Sequence, residues 1–219
     1  MNLADKLEMV NISDTGRKRP HNEDSSIADP ELGLAVIADG MGGYKAGEIA
    51  SAMAVMTVLE TVREGIGRLR PANGRQESGP LHPEAWQLLA EAVQKANGAI
   101  FQTAGRLEEC QGMGTTVVST LLYDDHIIVA HAGDSRIYRY RSGQLEQLTI
   151  DHSLLQELID RGFYTPEEAE ENTPKNLVTR ALGIDPEVKV DLGEHEVQPG
   201  DIYLLCSDGL NDMVTDEEI

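Results

Sequence analysis

Between residues 34 and 51 the chain reads LAVIADGMGGYKAGEIAS: an apolar run that ends on an acid, crosses a cluster of glycines and enters a helical pattern. Residues 34–38 have the length and β-branched character of a buried strand, and from Ala46 onward apolar residues recur at the helical period. Asp39 therefore stands at the mouth of a strand, beside Gly40, Gly42 and Gly43, which permit close backbone approach and positive φ. The basic residue nearby is Lys45, and a carboxylate in such a place is costly unless something cationic meets it. Three readings compete: a dinucleotide-binding turn, a glycine turn with a capping Asp, and a metal site built on Asp39. The first is disfavoured, because Lys45 occupies the third glycine position and Asp39 would repel a pyrophosphate.

The rest of the chain supplies more acids at comparable places. Residues 9–13 read as a short strand, followed by a polar loop that carries Arg17, Lys18 and Arg19 ahead of Glu23 and Asp24. In a strongly acidic chain that basic cluster suggests an anion contact, with solvated loop charges as the plain alternative. Residues 25–28 and 34–38 form two strands across the Asp29-Pro30 turn, which brings Asp24 and Asp39 toward one end of a sheet. Later, residues 202–206 form an apolar strand ending in Ser207-Asp208-Gly209. This echo of Ala38-Asp39-Gly40 is the strongest internal signal in the chain.

Two helices follow the first glycine cluster. One runs from Ala46 to about Arg63, with a wide stripe of Ile49, Ala52, Met53, Val55, Met56, Leu59 and Val62 and the Met pair as core filling. The other starts at Pro83 with Trp86, Leu89, Val93, Ala96, Ile100 and Leu107 as its apolar face. Residues 65–83 between them read as a surface loop. Residues 115–122, 126–132, 136–141 and 144–148 then read as an antiparallel meander, with Asp134 in its tight central turn and His126 and His131 as structural strand residues. Residues 151–182 read as an inserted, mobile surface subdomain. A strand over residues 188–197 precedes the last one, and Thr215 with Glu218 forms a capping box that opens a helix.

With 38 acidic against 18 basic residues, the formal charge of −20 argues against nucleic acid or an anionic membrane as partner. Cys110 and Cys206 stand apart from any His or second Cys at a metal spacing, so they are expected to be reduced, buried thiols in a cytoplasmic protein. The first residues lack the basic start and apolar core of a signal peptide, and no stretch approaches the length of a membrane span.

Asp24, Asp39, Asp208, Asp134 and Asp212 are thus carboxylates at strand ends and turns, without a His or Cys cluster. Oxygen-only ligands select hard cations, Mg2+ or Mn2+ rather than zinc. A pair of such ions suits phosphoester hydrolysis, and an Arg would orient the phosphate. Motifs for a nucleophilic serine, a zincin or a Walker lysine are absent.

The ordered set RPHNEDS (19–25), ADGMGG (38–43) with Gly47-Glu48, GMGTT (112–116), AGDSR (132–136), LTIDHS (148–153), TRALG (179–183) and CSDGL (206–210) resembles the bacterial metal-dependent serine/threonine protein phosphatases of the PPM class, type 2C. The resemblance covers essentially the whole chain. It implies an α+β fold, a four-layer αββα sandwich of two stacked antiparallel sheets flanked by helices, forming a single catalytic domain over 1–219 with residues 151–182 as a flap subdomain. It implies hydrolysis of phosphoserine and phosphothreonine by direct attack of a metal-bridging water, with two Mn2+ or Mg2+ ions and a weaker third. Asp39 would bridge the two metals, the Gly40 carbonyl would join the first, Asp208 would bind the second, and Glu23 and Asp24 would act through water. Asp134 and Asp212 match the weaker third site, and Arg19 the phosphate-binding arginine. The expected partners are phosphoproteins of a Ser/Thr kinase in a signalling system, met by a monomer. The alternative is a catalytically impaired phosphoprotein-binding module of the same fold.

Two departures from the family pattern stand out. Met41 occupies the place of the His favoured as general acid in eukaryotic members, which leaves the proton donor unassigned. The family also carries a metal-binding Asp in a Gly-x-x-Asp-Asn motif downstream of the position of Asp208, and the sequence ends before it.

Overall fold

The structure is a computed structural model and describes residues 6–43, 45–69, 79–174 and 177–219. Strands β1 (Asp24–Asp29) and β2 (Leu34–Met41) form the expected hairpin, with Asp24 paired to Asp39 at its open end. A short β3 (Gly114–Thr115) pairs with the end of β2. β4 (Val117–Tyr123), β5 (His126–Ala132) and β8 (Asp191–Glu196) complete a six-stranded sheet in the order β1-β2-β4-β5-β8, with β3 off the end of β2. The second sheet is β7-β6-β9, built from β6 (Arg136–Arg141), β7 (Gln144–Gln147) and β9 (Ile202–Cys206). The chain is an α+β sandwich of these two antiparallel sheets.

The alternation along β2 shows how the layers meet. Leu34, Val36 and Ala38 are fully buried toward α1 (Ala46–Gly65) and α2 (Pro83–Arg106), in one large apolar core. Ile37 points the other way and packs with Val118, Val129, Ile137 and Leu205 in a smaller core between the sheets. Among the described residues, the helical layer lies on the outer face of the six-stranded sheet. α3 (Leu154–Asp160) and α4 (Pro166–Asn172) pack on one another within the 151–182 segment.

The structure revises several expectations. Residues 9–13 are not a strand: Val10 and Ile12 are exposed, and side-chain bonds from Ser26 to Asn11 and from Asn22 to Ser13 stand where a backbone ladder would be. The supposed meander is two hairpins, β4–β5 and β6–β7, in different sheets. Gly133 at φ +119° turns the chain across, and a Cβ there would meet Thr116 Cβ at 2.5 Å.

On α1 the buried stripe is Ala50, Ala54, Val55, Val58, Leu59 and Val62, while Ile49 and Met56 are exposed. Small residues let this helix approach β2 and α2 closely, and the longer side chains are displaced to its flank. α2 starts at Pro83 as expected, but Leu107 lies past its end and is exposed. Thr215 and Glu218 do cap one another, around a single turn rather than a helix. Of the loop expected over 65–83, residues 70–78 lie outside the described residues.

Candidate active site

The hairpin register puts Asp24 and Asp39 side by side, and directly opposed residues in an antiparallel pair share a face. The third carboxyl, Asp208, arrives from the second sheet as the first residue of the short helix α5 (Asp208–Asn211) after β9. Asp24 and Asp208 both lie close enough to Asp39 for their carboxyls to act on it. Burial first, and then the charges of Asp24 and Asp208, push the Asp39 carboxyl up to about 9. Ser207 joins the two sheets here, donating from Oγ to Asp24 Oδ2 at 2.9 Å.

Asp39 is held from behind by a pair of threonines. Its backbone N–H donates to Thr116 Oγ1 (3.1 Å), and its carbonyl accepts from Thr116 N–H (2.9 Å) and Thr115 Oγ1 (2.8 Å). Thr116 Oγ1 also meets Ser135 Oγ at 2.8 Å, which couples the strand end to the Gly133-Asp134-Ser135 turn.

The glycines have a more particular role than loop freedom. A Cβ on Gly40 would lie 2.0 Å from the Gly47 carbonyl oxygen, and one on Gly47 would lie 2.6 Å from Glu23 Oε1. Gly40 and Gly47 let the start of α1 press against the end of β2, with Glu23 over them. Gly40 N–H donates to the Glu23 carbonyl at 3.0 Å. Of the three glycines in that cluster, Gly42 has the positive φ, at +152°.

Asp134 is buried in its turn, and burial, then the charge of Asp208, raises its carboxyl to about 6, with Asp151 and Asp212 adding to the rise. Asp212 caps α5, its N–H bonded to the Asp208 carbonyl at 2.9 Å. Arg19 lies at the rim, 76% exposed, with Nη1 3.6 Å from Glu23 Oε2.

Beyond the carboxylates, Thr115, Thr116, Ser135 and Ser207 had no role assigned from sequence; the signal available was the hydroxyl pair in GMGTT beside the Asp39 strand. His152 is another. Its Nδ1 accepts from Gly133 N–H at 3.0 Å and its ring stacks on His131 at 4.6 Å. Asp151 grips Arg136 with both carboxylate oxygens, so the start of the 151–182 segment is anchored in the fold rather than being loose surface.

The donor set around Asp39 is carboxylate and carbonyl oxygen, and a carboxyl that holds its proton to about 9 when faced by other carboxyls is one that a cation would relieve. The set fits hard divalent ions. Among the described residues, groups with imidazole close enough to hold a metal lie elsewhere: His82, Asp125 and His126, and His131, His152 and Asp191. No helix among the described residues is long and apolar enough to cross a membrane.

Comparison with known proteins places this geometry in context. The family model for protein phosphatase 2C matches residues 18–219. The serine/threonine phosphatase Stp of Listeria monocytogenes is 36% identical over 210 residues, spanning 94% of this chain and 79% of that protein. The crystal structure of the Mycobacterium tuberculosis serine/threonine phosphatase PstP superposes with a TM-score of 0.82 at 37% identity, over 94% of this chain and 80% of that one. The PstP catalytic domain in complex with two manganese ions superposes at 0.77 with 37% identity, over 94% and 79%. The chain belongs to the protein phosphatase 2C family of serine/threonine phosphatases.

Proposed function

We propose that this phosphatase hydrolyses phosphoserine and phosphothreonine in proteins at the centre formed by Asp24, Asp39 and Asp208, using two Mn2+ or Mg2+ ions. The observation that carries the reading is the convergence of Asp24, from β1, and Asp208, from the start of α5, on Asp39. Bound divalent ions there supply an acidified water and neutralise charge that develops on the phosphate. Asp39, with Asp24 and Asp208 beside it, would hold the ions together with Asp208 and the Gly40 carbonyl. Glu23 and Asp24 act at the edge through water. Asp134 and Asp212 form a weaker third site, supported by their shared proximity to Asp208. Arg19, exposed at the rim, binds and orients the phosphate group of the substrate.

The reading extends to a cytoplasmic monomer that opposes a Ser/Thr kinase in signalling, with residues 151–182 as a flap beside the cleft and the chain as one catalytic domain. Buried, unpaired Cys110 and Cys206 agree with a reducing compartment. The finding of two manganese ions in PstP supports manganese as the first ion to try. No observation favours the impaired binding module. The test is turnover of a phosphothreonine peptide with Mn2+ and again with excess chelator. Release of phosphate with Mn2+ alone is expected; release in neither condition would contradict the reading.

A further inference from the structure

Two imidazole clusters lie outside the carboxylate centre, and they differ in what already fills the space between their ligands. In the His131–His152–Asp191 group, Arg180 Nη1 lies 3.0 Å from Asp191 Oδ1 and 2.7 Å from His152 Nε2, and His131 Nε2 meets the Ile150 carbonyl at 2.9 Å. A guanidinium is the cation there. Among the described residues, no guanidinium is recorded against the His82–Asp125–His126 cluster.

His82 is buried just before α2, and its Nδ1 lies 2.6 Å from Glu194 Oε1. Glu194 also accepts the Leu81 and His82 backbone N–H groups at 2.7 and 3.1 Å, so it is an acceptor and His82 Nδ1 carries the proton. On the other side of the ring, His82 Nε2 lies 3.8 Å from Asp124 Oδ2. The His126 ring is 5.0 Å away, with its Nδ1 2.7 Å from Asp125 Oδ1. One ligand atom from each of His82, Asp125 and His126 lies within 4.8 Å of the others.

We propose that His82, His126 and Asp125, with Asp124 as a fourth donor, form a second metal site, for a borderline transition ion such as Zn2+ rather than the hard ions of the carboxylate centre. Imidazole with carboxylate is the donor mix such ions take, and a ligating His whose other nitrogen donates to a buried carboxylate is the arrangement that orients it. Tetrahedral zinc bonds of about 2.0–2.1 Å set ligand atoms about 3.3 Å apart, so closure needs movements of about 1 Å. These fall on Asp124 and Asp125, whose side chains are 44% and 71% exposed on the two-residue β4–β5 loop. Asp124 sits at φ +60°, a left-handed turn position that Asp, like Asn and Gly, adopts readily. β4 separates this end from the Thr116 side of the sheet by about 20 Å at about 3.3 Å per residue, so the ion would act by bolting the start of α2 to the β4–β5 loop and β8.

The test titrates Zn2+ into the full chain held in saturating Mn2+, read by calorimetry and thermal midpoint, with Co2+ absorption as a check on tetrahedral geometry. One zinc equivalent and a raised midpoint are expected, lost in His126→Ala and weakened at least tenfold in the more exposed Asp125→Ala, while Mn2+-supported turnover stays at the wild-type rate in both. If His126→Ala does not fold, Asp125→Ala decides the matter. No zinc equivalent beyond the Mn2+ sites, or zinc binding unchanged in the folded variants, would overturn the proposal.

Discussion

Asp24 and Asp39 are register partners across the first hairpin, so two carboxyls of like charge occupy opposed positions on one face. Such a pair destabilises a sheet unless a proton or a cation intervenes. Without metal, Asp39 holds its proton to about 9 in the fold against an ordinary value of 3.8, so the folded state binds more protons over that window and stability falls as pH rises from about 4 to 9. Metal-free Asp39→Asn should flatten this slope and, at pH 8, exceed metal-free wild type by about 1–3 kcal/mol, allowing for the sharing of charge among the three acids. Urea melts at pH 6 and pH 8 measure it; equal slopes would show that the carboxyls do not repel.

Thr116→Val keeps the shape of the side chain and removes the acceptor of Asp39 N–H and the partner of Ser135. An orphaned buried donor costs about 1–3 kcal/mol, and the variant should lose that stability and turn over more slowly, because Asp39 is no longer fixed. Thermal melts and kcat test the two effects separately.

Gly40→Ala and Gly47→Ala differ in what the added methyl meets. The first strikes backbone at 2.0 Å, the second the end of the Glu23 side chain at 2.6 Å and Gly40 backbone at 2.9 Å. Both should destabilise, Gly47→Ala by about 1–3 kcal/mol and Gly40→Ala by more, as overpacking against an element that must shift bodily. A Gly40→Ala protein as stable as wild type would mean that α1 moves freely.

Much of this was legible in the sequence, because strands in this fold end on acids and a strand ending in Asp-Gly is visible in the residues. Asp39, Asp24 and Asp208 converge because β1–β2 is a short hairpin and β9 repeats its pattern. What was not legible depends on which sheet a strand joins. The hairpin β4–β5 and the hairpin β6–β7 read as one meander, since nothing local marks Gly133 as a crossing between sheets. The α1 stripe was misread because hydrophobicity favours Ile49 and Met56 while close packing favours Ala50 and Ala54. Thr116 and Ser207 act across 77 and 183 residues, distances at which periodicity carries no information.

His152 links the Asp134 turn to the segment after it, and burial, foremost, lowers its imidazole to about 4 from 6.5. The unfolded chain therefore takes up the proton first, and stability should be full above about 6.5 and fall as pH drops toward 4, by on the order of 2 kcal/mol. Lowered Asp191 acts in the same direction at lower pH. Thermal midpoints between pH 4 and 7 should show that His152→Gln loses a distinct part of the wild-type slope; an unchanged slope would assign the acid limb to other groups.

Arg19 touches one partner, Glu23, at the surface, so Arg19→Ala should melt within about 0.5 kcal/mol of wild type, as exposed ion pairs do. Its KM for a phosphothreonine peptide should rise by a factor corresponding to about 1.5–3 kcal/mol, for a lost charged hydrogen bond. An unchanged KM would remove Arg19 from the phosphate site.

Whether Asp39 organises the metal centre is tested most directly by calorimetric titration of Mn2+ into wild type and Asp39→Asn. Wild type should bind two ions, and Asp39→Asn, folded by circular dichroism, should lose both tight equivalents along with turnover. Retention of two tight Mn2+ ions by Asp39→Asn would contradict the account.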